Sequence, residues 1–146
     1  MFSKGQIIYC TPFYFQNGNT AKPKYFIVLN NINEETIIAS LPTRSNHAPT
    51  LIDITHGCVN FDDRRFNCYV FEPNRVITTN GFSFPIGTYI YGNEVESYHA
   101  KLLSSIYTIE NIDYEVLCTL TEAEFTDIYD CIKNSSSVKR GIKRLL

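Results

Sequence analysis

The chain has 146 residues, of which 44% are hydrophobic and 19% charged, with a net charge of −2. That length fits one domain, 1–146, with enough apolar mass for a core that needs no metal or disulfide staple. The charge excludes a general polyanion-binding surface and leaves room only for a local basic patch.

Taken in chain order, Gly5 to Cys10 predicts a short strand that Thr11-Pro12 ends, because proline cannot continue a central ladder. Asn17-Gly18 marks a turn, and strands follow at 24–30 and 36–41 around a loop containing Asn31, Asn33 and Glu34. Arg44 to Pro49 reads as a polar loop, Thr50 to Thr55 as a strand, and Gly57 to Arg65 as turn-like. Asn67 to Phe71, Arg75 to Thr79 and Thr88 to Tyr91 are short β segments.

Val95, Tyr98, Leu102, Leu103, Ile106 and Tyr107 fall at helical spacings, with a β-hairpin as the alternative. Tyr114 to Leu120 predicts a strand. Thr121 and Glu124 have the spacing of a capping box, and Phe125, Ile128, Tyr129 and Ile132 form one apolar stripe, so a helix is predicted over 122–133. Ser135 to Ser137 breaks it, and Val138 to Leu146 forms a last helical turn or two. The sum is a mainly β fold with α elements: a small twisted barrel with a C-terminal helix and one or two extra helices.

Five scattered cysteines, Cys10, Cys58, Cys68, Cys118 and Cys131, make no CxxC pair and read as free, mostly buried thiols. Together with the lack of an export signal or membrane span, they predict a cytoplasmic protein. His47, His56 and His99 lie too far apart for metal-ligand spacing, so no metal or other cofactor is expected, although His47 is a conceivable general base.

The most informative stretch is Lys22 to Asn31 followed by Thr36 to Arg44. Folded as a hairpin, it brings Lys22 and Lys24 toward Thr43 and Arg44, a candidate phosphate site on a rigid sheet. Tyr14 and Phe15 precede it and offer rings on which bases stack. The plainer alternative makes the lysines solvated strand ends, Thr43 a loop cap, and Arg75 a partner of Glu72.

The order of these motifs resembles the MazF/PemK-like toxin family: Lys4-Gly5-Gln6-Ile7-Ile8, then Lys22-Pro23 opening an apolar strand, then Leu41-Pro42-Thr43-Arg44, then Arg75-Val76-Ile77, then Leu120-Thr121 to Glu124. The likeness covers 3–44 well and 67–79 and 115–133 loosely, while 82–113 departs from it. It implies an SH3-like barrel, a homodimer, and metal-independent cleavage of single-stranded RNA by its own 2′-OH. It also implies an antitoxin protein that holds the toxin inactive. Lys22 stands where the family carries an arginine that offsets phosphate charge and takes part in proton transfer, and Thr43 stands where a threonine bonds the scissile phosphate. Lys24, Arg44, Arg75, Tyr14 and Phe15 are the further candidate RNA contacts. Lysine is a point charge without the bidentate fork of guanidinium, so a non-catalytic RNA- or protein-binding module of the same fold is the alternative. A structural barrel within a larger assembly is a third reading.

Overall fold

The computed structural model describes residues 2–14, 18, 20–41, 55–61 and 66–146. Among these residues eight strands and three α-helices follow one another: β1 (Gln6–Phe13), β2 (Lys22–Ile32), β3 (Glu35–Leu41), β4 (Gly57–Phe61), β5 (Phe66–Phe71), β6 (Thr88–Tyr91), β7 (Val95–His99), α1 (Ala100–Ile106), β8 (Tyr114–Thr119), α2 (Glu122–Lys133) and α3 (Arg140–Lys143). The fold is thus mainly β with a C-terminal helix. Among the described residues the strands make two open antiparallel sheets, one in the order β7-β3-β2-β1-β8 and one in the order β4-β5-β6.

The long apolar runs of β2 and β3 exist because both faces of the larger sheet are covered. On one face Ile7, Ile27, Leu29, Ile37, Ala39 and Leu41 pack with Tyr69, Phe71 and Ile90 of the smaller sheet and Ile128 and Ile132 of α2. On the other, Ile8, Phe26, Val28 and Ile38 pack under Leu103 of α1 and Tyr107. A strand buried on both sides loses the polar alternation of a half-buried one.

β2 and β3 are joined at Asn33 and Glu34, both with positive φ (52° and 65°). Two left-handed residues are what a tight hairpin turn matching strand twist requires. The Glu34 carbonyl accepts from Ala100 N at 2.8 Å, which ties the turn to the start of α1.

Several sequence expectations are corrected. β1 does not stop at Thr11-Pro12; it runs to Phe13, with a cis Thr11–Pro12 peptide. Its register on β2 shifts between Cys10 and Phe13, so the missing proline N–H falls in the irregularity instead of the ladder. Gly57 to Phe61, expected to be turn-like, is strand β4 paired with β5. Arg75 to Thr79 makes only one isolated bridge, Thr78 to Leu120, because Ile77 N donates to Phe82 O across a local turn. The helix expected from Val95 begins only at Ala100: Val95 to His99 pairs with β3 as β7, and His99 then caps α1. The strand over 50–55, save its last residue, and the turn at Asn17 lie outside the described residues, as do Asp62 to Arg65.

The expectation of five free thiols is also overturned. Cys58 and Cys131 form a disulfide, with Cα atoms 5.6 Å apart, and Cys10, Cys68 and Cys118 are free and buried. Its partners are 73 residues apart and were not paired by any local motif. Among the described residues no helix is long and apolar enough to cross a membrane.

Candidate functional site

The antiparallel register sets one corner of the larger sheet. Phe13 at the end of β1 lies opposite Lys22 at the start of β2, and Tyr25 lies opposite Leu41 at the end of β3. Lys22 and Lys24, two residues apart on one strand, share a face. Lys22 is exposed, whereas Lys24 is buried. One of the three N–H donors of Lys24 goes from Nζ to the Leu41 carbonyl at 2.8 Å.

Burial lowers the pKa of Lys24, the charge of Lys22 lowers it further, and Glu94 in the turn before β7 opposes both. The two ammonium groups therefore feel one another, at the point where β3 ends and the chain leads on to Thr43. Thr43 and Arg44 themselves, with Phe15 and His47, lie outside the described residues.

Tyr14 follows Phe13 at the same corner. Its backbone N–H donates to Tyr107 Oη at 2.9 Å, and the residue is 51% exposed, with its ring 6.3 Å from that of Tyr107. Arg75 is elsewhere. It pairs with Glu72 at 3.5 Å, both half-exposed, and its charge acts on the Tyr69 hydroxyl. Lys22, Lys24 and Tyr14 are thus brought to one corner, and Arg75 belongs to a different neighbourhood.

That neighbourhood holds a polar cluster the sequence did not announce. His56 Nε2 lies 2.6 Å from Glu124 Oε1, and Tyr69 Oη donates to the same oxygen at 2.8 Å. The Glu72 backbone N–H donates to His56 Nδ1 at 3.1 Å. A nitrogen that accepts carries no proton, so with this bond in place the ring hydrogen sits on Nε2, aimed at Glu124. Burial and the bond to Glu124 push the Tyr69 phenol well above its usual range.

Thr121 does cap α2 as its spacing predicts, accepting from Glu124 N at 3.3 Å. The reciprocal half of the capping box is not made: Thr121 N donates to Ile77 O, and the Glu124 carboxylate serves His56 and Tyr69 instead. No spacing rule links position 56 or 69 to 124, so no local signal could have found this cluster.

Among the described residues no group of three or more His, Cys, Asp or Glu side chains is arranged to hold a metal ion. The Lys22–Lys24 corner can offset the charge of an anion. The His56–Glu124–Tyr69 cluster is internally satisfied and ties β4, β5 and α2 together. A comparison of the sequence with protein-family models and with curated proteins finds no match.

Proposed function

We propose that the chain is a toxin-like endoribonuclease that cleaves single-stranded RNA without a metal and is neutralised by an antitoxin protein. The observation that carries this reading is the corner itself: Lys22 exposed on β2, with buried Lys24 bonded to the last carbonyl of β3. Leu41, whose carbonyl Lys24 holds, stands two residues before Thr43 and three before Arg44.

In this mechanism the RNA 2′-OH attacks the adjacent phosphorus. The new O2′–P bond forms as the P–O5′ bond breaks, leaving a 2′,3′-cyclic phosphate and a 5′-OH. Lys22 offsets charge developing on the phosphorane oxygens, Thr43 donates a hydrogen bond to them, and Arg44 and the Tyr14 and Phe15 rings hold the strand. Lys24 works from behind, holding the end of β3.

The finer description of the fold as an SH3-like barrel belongs to the same reading. Register shifts in β1 and β2 support it, because bulges of this kind bend and twist strands and curl a sheet toward closure. A homodimer and a cytoplasmic location complete it, although a disulfide is unusual in that compartment.

The test is incubation of the purified chain with single-stranded RNA in excess chelator. Expected are cyclic-phosphate ends, no cleavage at a 2′-deoxy position, and loss of about 100-fold in rate for Lys22→Ala and for Thr43→Ala. Unchanged cleavage in both variants overturns the assignment. A second reading, a non-catalytic RNA- or protein-binding module, is favoured by one observation: the Lys24 ammonium is already engaged in a structural bond. Binding without cleavage is its signature.

A further inference from the structure

The covalent tie between β4 and α2 lies where a reagent can reach it. Among the described residues β4 is an edge strand, and Cys58 on it is exposed, whereas Cys131 on the inner face of α2 is 5% exposed. Both cysteines line an open cleft of about 310 Å³, with Tyr69, Asp127 and Asp130 among its other walls. A thiolate approaching from solvent meets Cys58 first, and it does so past two carboxylates.

We infer that the Cys58–Cys131 bridge is a reversible redox modification site, reduced through Cys58 by an uncharged dithiol. The first thiolate of the dithiol attacks Cys58 Sγ. A mixed disulfide forms, and Cys131 leaves as a thiolate. The second thiol of the reagent, deprotonated, attacks its own mixed-disulfide sulfur, releasing Cys58 and closing the reagent's disulfide. Two electrons and two protons pass from the dithiol to the two cysteines. Asp127 and Asp130 disfavour most a thiol that carries negative charge besides its thiolate, because like charges at short range repel.

The consequence is confined to β4. α2 keeps Ile128 and Ile132 in the core and Glu124 bonded to Tyr69 and His56. β4 keeps its ladder with β5 and the His56 bonds that precede it. A strand laddered to one neighbour among the described residues exchanges more readily once its covalent anchor is cut. Reduction therefore loosens β4 while α2 stays docked, and reoxidation restores it.

The experiment uses the whole chain, oxidised or treated with dithiothreitol in native buffer, with alkylation, mass analysis and amide hydrogen exchange. Expected are alkylated Cys58 and Cys131 without denaturant, and exchange across 57–61 rising about tenfold while 122–133 changes less than about twofold. Removing the reductant in air returns the original pattern. Alkylation only after global unfolding, or equal loss of protection across α2, overturns the proposal. A second arm compares glutathione, which is anionic, with dithiothreitol on the Asp127→Asn, Asp130→Asn double variant. Glutathione reduction, whose attacking thiolate carries two net negative charges, accelerates roughly three- to tenfold at low salt, and dithiothreitol reduction, whose thiolate carries one, accelerates clearly less. Equal acceleration of both reagents, or of neither, overturns the role given to the carboxylates.

Discussion

The Lys22–Lys24 corner and the β4–α2 junction are built by opposite routes. The corner is local: Lys24 and the Leu41 carbonyl it holds are 17 residues apart, within one hairpin. The junction is distant: His56 and Glu124 are 68 residues apart, Tyr69 and Glu124 are 55, and the cysteines are 73. The corner exposes a charge and is suited to meet a ligand. The junction satisfies its polar groups internally and is suited to hold elements together. Their positions in the chain are complementary, since Leu41 precedes the segment that carries Thr43 and His56 and Cys58 follow it. One tether lies on each side of that segment in sequence.

If this division is right, junction variants lose stability and corner variants lose RNA handling. The largest stability effect is expected from Cys58→Ser with Cys131→Ser. Opening a 73-residue loop frees the unfolded chain and costs about 4 kcal/mol by the chain-entropy account, read as a lower denaturant midpoint. Next comes Glu124→Ala, which removes the acceptor of both Tyr69 Oη and the His56 N–H. Two buried donors left unpaired cost roughly 3 kcal/mol in chemical unfolding, and RNA cleavage per folded molecule stays unchanged. Lys22→Ala is the reverse case: the midpoint moves by less than about 0.5 kcal/mol while cleavage falls as stated above.

Smaller effects probe how sharp the division is. Gly92 approaches the turn after α2 so closely that an added Cβ would lie 2.7 Å from Ser135 Oγ and 2.9 Å from Ser137 Cβ. Ser135 is buried, and the backbone there is held by Asn67, which accepts from Ser137 N at 3.1 Å. Gly92→Ala therefore costs about 1–3 kcal/mol as overpacking, visible in the same denaturation curves. Lys24→Met loses the Leu41 bond but relieves a buried charge, for a net cost of about 1 kcal/mol. If Lys24 holds the end of β3 in place, its cleavage defect exceeds its stability defect.

Alkaline titration weighs the core shared by both regions. Burial pushes the Cys10 thiol up from 9.0 to about 12 and Cys68 to about 11, and the Tyr69 and Tyr107 phenols are raised as well. A group whose folded pKa is raised contributes stability that is whole below its unfolded pKa and is lost as pH climbs toward the folded one. Stability measured from pH 8 upward should therefore fall beyond about pH 9. The lowered pKa of Lys24 acts in the opposite sense, since deprotonation relieves its burial as pH rises toward 10.5. One lysine against four acids leaves a net fall, and Cys10→Ala makes that fall shallower while its onset stays where the remaining thiols ionise in the unfolded chain.

The sequence by itself determined what local rules govern. Two-sided apolar runs made β2 and β3 the centre of a sheet. Thr121 and the Phe125-to-Ile132 stripe placed α2, because capping and a 3.6-residue period depend on neighbours a turn away. The hairpin brought Lys22 and Lys24 to one corner for the same reason. Only the tertiary structure decided that Val95 to His99 is a strand, since the open edge of β3 outweighs a helical spacing there. It alone decided that Glu124 leaves its capping role for His56 and that Cys58 meets Cys131, whereas the Arg75–Glu72 pair is local and was legible as a neighbour contact. The His56–Glu124 and Cys58–Cys131 contacts join residues that share no period and no turn. Their meeting depends on how two sheets and a helix close over one core, which no window of neighbouring residues encodes.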